Sequence, residues 1–274
     1  MNSRLKGFSI LSFSFLFSLQ ILFAQEDGSS NVSVPFEKRF TVGEELTYIV
    51  KFAFLDLGEI KTKLYAKELI NGKSIYKSIV KINSYDGLPF VNIHQDYESW
   101  FDSTLYPVYF QAYIYDEEDT DYVKYYFQEN NIVHVIKGKL RKNKPYLDTL
   151  VNLHKKYVDG LSLLYFARYF FNGNQTVTVP CYVNEDTTST LIAYHTEPED
   201  VEIDEVDYDI DCVMLDGRTN FTGIFGLTGE FEGWFSNDRY RIPIKANLEV
   251  LIGSVTVELM RWRKIKWNPP KIRD

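Results

Sequence analysis

The chain has 274 residues, with 30 Lys+Arg against 38 Asp+Glu for a net charge of −8, and 45% hydrophobic and 25% charged residues. That composition excludes a disordered chain, a collagen and a coiled coil. Two cysteines are too few for a disulfide-dense small scaffold, and the acidic balance argues against a nucleic-acid partner, whose phosphates need a basic face.

Arg4 and Lys6 precede an uncharged, mostly apolar run from Phe8 to Phe23, and Ala24 closes it before the charges begin at Glu26. This is the pattern of a secretory signal over residues 1–24, cleaved after Ala24. The run is shorter than the ~20 residues a spanning helix needs. The expected location is therefore periplasmic or outer-envelope associated. Residues 25–40 read as a flexible arm, 41–260 as a single β domain, and 261–274 as a basic, aromatic tail.

From Phe40 onward strand signals dominate. Leu46–Phe54 and Glu59–Leu69 are β-rich runs split at Leu57-Gly58. Asn71-Gly72, between Glu59–Leu69 and Ser74–Ile82, is a hairpin signal. Turns at Asp86-Gly87, at the acidic tip 116–121 and at Asn130-Asn131 separate Phe90–Trp100, Tyr106–Tyr115, Tyr122–Gln128 and Ile132–Lys137. One helix interrupts the strands near 159–172. Asp159 can cap it, Leu161, Leu163, Leu164, Phe166, Ala167, Phe170 and Phe171 fill it, and Arg168 is its only charge. Being apolar almost all round, it is expected to be buried against a sheet.

The second half alternates again. Val177, Val179, Cys181 and Val183 form a period-2 row. Val206 to Met214 alternates with Asp207, Asp209 and Asp211, and the run from Tyr240 to Val250 alternates with charged residues. Period-2 patterning joined by short turns predicts a mainly β fold: one large, antiparallel, strongly curved sheet or open barrel in meander order, with the one buried helix. In Tyr106–Tyr115, Phe110 and Ala112 share one face, while Tyr109, Tyr113 and Tyr115 share the other. The tyrosine face must meet the helix, a second sheet or a ligand cavity. A groove lined by Trp100, Tyr109, Tyr113, Tyr115, Trp234 and Arg168 is the candidate site, because tyrosine suits a half-wet wall.

Three segments carry a resemblance. They are Val42-Gly43-Glu44-Glu45-Leu46-Thr47-Tyr48 with Leu57-Gly58-Glu59; Tyr97-Glu98-Ser99-Trp100-Phe101-Asp102; and, within Gly229–Leu259, Trp234-Phe235-Ser236-Asn237-Asp238, Arg241-Ile242-Pro243-Ile244 and Ile252-Gly253-Ser254-Val255. In order and spacing the chain resembles the bacterial exported proteins grouped as domain-of-unknown-function family 3108, in the form found in Bacteroidetes. The resemblance implies an exported, mostly antiparallel β protein with an inserted helix. It brings no catalytic residues.

The chemistry-bearing motifs are sparse. His94, His134, His154 and His195 have no metal-ligand spacing, so no metal or other cofactor is expected, and neither a nucleophile elbow nor a phosphate loop is present. Asp207, Asp209 and Asp211 begin like a calcium loop, but Cys212 and Arg218 stand where Gly and Glu are needed. Cys181 and Cys212 both fall on apolar strand phases, and a disulfide between them would suit an oxidising compartment. Two buried free thiols are the alternative. Arg261, Trp262, Arg263, Lys264, Lys266 and Trp267 could touch anionic lipid or an acidic partner, or simply end the last strand.

These features favour a non-enzymatic periplasmic protein that binds a hydrophobic or lipid-like molecule in the service of the outer envelope. An accessory subunit of an outer-membrane assembly or secretion complex is the alternative. An envelope glycan-acting enzyme is a third reading, since carboxylates are many but no pair stands out.

Overall fold

The computed structural model describes residues 34–272, apart from 90, 143, 224–226 and 251–252. The signal segment expected over 1–24 lies outside the described residues, as does the start of the expected arm. A short helix, α1 (Phe36–Arg39), leads into β1 (Glu45–Phe52), β2 (Leu55–Ile70), β3 (Lys73–Ser84), β4 (His94–Asp102), β5 (Pro107–Tyr115), β6 (Thr120–Phe127), β7 (Ile132–Lys139) and β8 (Leu147–Asn152). The buried helix α2 (Ser162–Tyr169) follows. Then come β9 (Gln175–Val183), β10 (Asp186–Val201), β11 (Ile210–Thr219), β12 (Leu227–Ser236), β13 (Pro243–Val250) and β14 (Gly253–Arg263).

All fourteen strands join one antiparallel sheet in the order β8-β7-β6-β5-β4-β3-β2-β1-β14-β13-β12-β11-β10-β9. Two meanders are thus stitched together where the first strand meets the last, β1 against β14. The sheet does not close: β8 and β9 are its ends. It rolls past itself instead. The ring of Tyr182 on β9 lies 5.2 Å from that of Tyr125 on β6. Glu185, at the β9–β10 turn, accepts hydrogen bonds from Tyr125 (2.5 Å) and from Lys137 (2.6 Å) on β7. The β9 end is therefore tucked inside the roll, which explains why Cys181, Tyr182 and Val183 are buried on both faces. Two apolar cores result, one on each side of this inner leaf.

The local chemistry explains most of the turns. Asn71 and Gly72 both have positive φ (51° and 76°), the geometry of a two-residue hairpin whose twist matches its strands. Asn184-Glu185 make the same kind of turn without a glycine (φ 54° and 61°), a signal the sequence did not announce. Pro243 opens β13 beside a register shift, where its missing N–H costs no ladder bond.

Several boundaries differ from the sequence reading. Leu57-Gly58 does not break the chain; the turn is at Ala53-Phe54. Gly58 lies inside β2, where a Cβ would sit 2.3 Å from the Asn83 carbonyl oxygen, so glycine marks a close backbone approach. The acidic alternation over 206–209 is an irregular connection, and β11 starts only at Ile210. Residues 237–242 form a turn, and strand resumes at Pro243. The arm expected up to residue 40 ends in structure: Phe36 and Phe40 are buried, 4.5 Å apart between rings, against Tyr76, Tyr165 and Tyr169.

Candidate functional site

α2 lies against the inner face of the sheet, held at both ends by polar contacts. At its start, Asp159 accepts from the Leu161 and Ser162 amides (2.7 Å each) and from the Ser99 hydroxyl on β4 (2.5 Å). Full burial pushes this carboxyl up to about 6 despite those bonds. In the middle, the Tyr165 hydroxyl meets Ser78 on β3 at 2.6 Å. At its end, Arg168 forms a two-pronged pair with Glu44, with Nη1–Oε1 2.6 Å and Nη2–Oε2 3.3 Å. Arg168 also donates to the carbonyls of Arg241 and Tyr240. Lys264 completes the cluster with a 2.7 Å contact to Glu44 Oε2. Burial alone would raise the Glu44 pKa; the charges and hydrogen bonds of Arg168 and Lys264 outweigh it and hold the carboxyl below its ordinary value.

Between this helix and strands β1–β3 and β10–β14 the side chains leave a cavity of about 190 Å³. Leu46, Tyr48, Ile60 and Val80 form one wall. Ile192, Leu215, Phe231, Phe235, Ala246, Leu248 and Val257 form the other, and Leu161, just before α2, with Leu164, Tyr165 and Ala167 on it, face them. Gly233 lines the wall in the middle of β12, where a Cβ would press on the Phe235 ring at 3.0 Å. The charged residues of the wall each have a partner: Arg168 with Glu44, Lys245 with Glu258 (3.1 Å), Glu232 with Asn247 (3.2 Å). Leu164 keeps 37% of its surface exposed, so the space reaches solvent. A second, more polar cavity of about 310 Å³ lies where the β9–β10 turn faces β4–β7, beside Tyr97, Tyr125, Lys137 and Glu185.

The residues expected to line one groove are not brought together. Phe110 and Ala112 take the inner face of β5. Tyr109 sits on the outer face, where its ring packs 5.0 Å from Trp100 and 5.1 Å from Tyr126. Tyr113 shares that outer phase, and the Tyr115 hydroxyl reaches Asp96 at 3.2 Å. Trp100 also holds Lys77 over its ring at 3.9 Å and donates to Glu98. Trp234 points away from the cavity, opposite Gly233 and Phe235, and donates to Glu199 at 2.7 Å. Only Arg168 reaches the cavity wall, and its guanidinium is committed to Glu44. An outer-face ladder of rings bridged by Glu98 and Gln111 produces the tyrosine alternation without any groove.

The other expectations also change. Cys181 lies opposite Thr188 and Cys212 opposite Glu199, far apart along β10 and on different strands. At ~3.3 Å per residue that separation is roughly 30 Å, well beyond disulfide reach. Both thiols are free and buried, and burial raises both; Cys181 is pushed to about 11. The basic tail is folded, not free. Arg261 and Arg263 end β14 and pair with Glu59 and Glu45. Lys264 is only 9% exposed and Trp267 only 6%, the indole donating to Asp238 at 2.7 Å. Trp262 packs edge-on to Trp267, and Lys266 is exposed in the turn between them. The carboxylate of Asp238 also takes the Ser236 hydroxyl and the Tyr240 amide. Asn237 binds Asp211. The Ser236-Asn237-Asp238 motif is thus a polar knot that pins the C-terminal segment.

The sequence model described as "Protein of unknown function (DUF3108)" matches residues 47–260. The chain belongs to this family. The DUF3108 segment holds both β meanders except the first two residues of β1 and the last three of β14, together with α2 and the whole lining of the cavity except Leu46. None of the curated proteins matches. Among solved structures, a beta-barrel-like protein of domain of unknown function DUF1849 from Brucella abortus is similar at a TM-score of 0.51 and 10% identity, over 81% of this chain and 97% of that one. At that identity the likeness concerns the fold alone. A "putative lipoprotein" from Parabacteroides distasonis covers 81% of this chain and 96% of its own at 8% identity, with a TM-score of 0.31.

Proposed function

We propose that this DUF3108 protein is an exported binding protein, without catalytic chemistry, that holds an apolar, lipid-like ligand in the cavity under α2. The observation that supports the reading is the lining: aliphatic and aromatic carbon from three sides, with each charged side chain of the wall turned to a protein partner. Binding sites for small molecules are mostly apolar and typically ~300–1,000 Å³. The 190 Å³ here suits one hydrocarbon chain better than a bulky ring system. The signal-like segment at 1–24 supports an envelope location.

A titration with a fluorescent acyl-chain probe tests it. The protein is expected to bind the probe, and Ala246→Phe, which fills the space beside Gly233, is expected to abolish binding while leaving the thermal transition cooperative. Equal probe binding by both proteins would overturn the reading.

A second reading, an accessory subunit of an envelope assembly, draws on β8. Its outer edge has no partner strand among the described residues, and Leu150 on it is 61% exposed. Edge strands are where another chain adds by backbone pairing. Leu150→Pro, at a position whose amide faces out from the sheet, would abolish such an association and leave the probe titration unchanged.

A further inference from the structure

At one rim of the roll two adjacent strand tips are apolar and a third packs against them. The β1–β2 tip exposes Phe52, Phe54 and Leu55, with Phe54 92% exposed. The β3–β4 connection exposes Tyr85 and Ile93. These tips are neighbours: the Tyr85 amide donates to the Leu57 carbonyl at 2.9 Å, and the Ser84 amide to the Ile93 carbonyl at 2.8 Å. At the third, the β13–β14 hairpin, Gly253 lies against the Phe52 ring; a Cβ on it would be 3.2 Å from that ring.

This rim stands directly beyond the cavity. On β13 the lining ends at Leu248, paired with Val255, and the next inward pair is Val250–Gly253, against which Phe52 rests. The cavity's apolar wall therefore continues to a protruding apolar edge.

We infer that this rim inserts into a lipid bilayer, so that the apolar ligand passes between the membrane and the cavity without crossing water. The inference rests on the apolar-ligand reading above. A bilayer is the occupant that fits the shape. A stable protein interface needs ~800 Å² of fitted surface per partner, whereas these are separate projecting tips suited to slipping between headgroups. The charge also selects the surface. Residues 52–57 and 85–93 contain Asp56 and Asp86 and no Lys or Arg. Insertion is thus driven by hydrocarbon burial and needs no anionic lipid. The membrane-facing surface is this rim and not the basic C-terminal segment, which is built into the fold.

The test is flotation of the protein, purified from its own cell envelope, with phosphatidylcholine vesicles. The wild type is expected to float with them equally at low and high salt. Phe54→Asp with Leu55→Asp is expected to lower the bound fraction ~10-fold or more, since full burial of one Phe or Leu side chain favours insertion by more than a factor of ten. Those substitutions lie on exposed side chains, so acyl-probe binding in solution should be unchanged. Ala246→Phe should do the reverse, floating normally while losing the probe. Four results would overturn the inference: no flotation of the wild type, equal flotation of the double variant, binding only to anionic vesicles with loss in salt, or a dimer that Phe54→Asp dissolves. In each of these cases probe binding still reports separately on the cavity.

Discussion

Arg168 and Glu44 lie 124 residues apart in sequence and meet inside the protein through a two-pronged ion pair, with Lys264 closing on the same carboxylate. The pair fastens the buried helix to the first strand and the last strand's extension at once. Removing one member of a buried pair leaves an uncompensated charge, which typically costs ~3–5 kcal/mol. Glu44→Gln is therefore expected to lower the unfolding free energy, read from urea titration, by about that amount. The folded-state pKa is depressed, so this contribution is present above the ordinary carboxylate value of 4.5 and is lost as pH falls through the folded value. Urea titrations of both proteins from pH 7 down to pH 3 should converge. A gap that stays constant over that range would contradict the pair's ionic character.

Asp159 has the opposite sign. Its pKa rises from 3.8 to about 6 because the site is dry. The folded protein holds the proton more tightly than the unfolded chain, so this group's contribution is fully present below 3.8 and falls as pH climbs to about 6. The difference amounts to about 3 kcal/mol. Asp159→Asn keeps an acceptor for the Leu161 and Ser162 amides and cannot ionise. The variant is expected to gain stability relative to wild type between pH 4 and 6 and to hold a constant advantage above. A stability difference with no pH dependence would show that the carboxyl is solvated.

The C-terminal segment is expected to be structural. Trp267 is buried and donates to Asp238, and large aromatic-to-Ala changes in cores cost ~3–5 kcal/mol. Trp267→Ala should lower the thermal midpoint by several degrees, and deletion from residue 264 onward should be worse, because it also strips a cation from Glu44. An unchanged melting curve for the truncated protein would mean the segment is only laid on the surface.

The two thiols should stay reduced and unreactive. Neither is exposed, and both pKa values are raised, so little thiolate is available. Alkylation is expected only on unfolding, and dithiothreitol should not shift the thermal midpoint. A peptide linking Cys181 to Cys212 in a non-reducing map would contradict the strand register.

Much of the fold was legible in local chemistry. The Asn71-Gly72 hairpin, the antiparallel meander and the buried helix after Asp159 each follow from short-range pattern, and the structure has all three. The site was not legible, for a physical reason. Period-2 alternation tells which residues share a face but not which face is inside. Tyr109 and Trp100 form a ring ladder on the outer face, while the modest Phe110 and Ala112 face the core. The tail failed likewise: Lys264 and Trp267 look solvent-seeking or membrane-seeking until Glu44 and Asp238, each distant in sequence, supply their partners. The cavity depends on Gly233 and Ala246, two small residues in adjacent strands, and on a helix that ends 64 residues before Gly233. The paired position of Gly233 and Ala246 appears only once β12 and β13 are in register.

The most direct measurement is native mass spectrometry of the wild type and Ala246→Phe, both gently purified from their own cell envelope. The expected spectrum shows a wild-type fraction carrying an adduct in the mass range of a lipid, and an Ala246→Phe protein at its bare mass. A wild type that flies only at its bare mass, or an adduct retained equally by both proteins, would contradict carriage of a ligand in the cavity beneath α2.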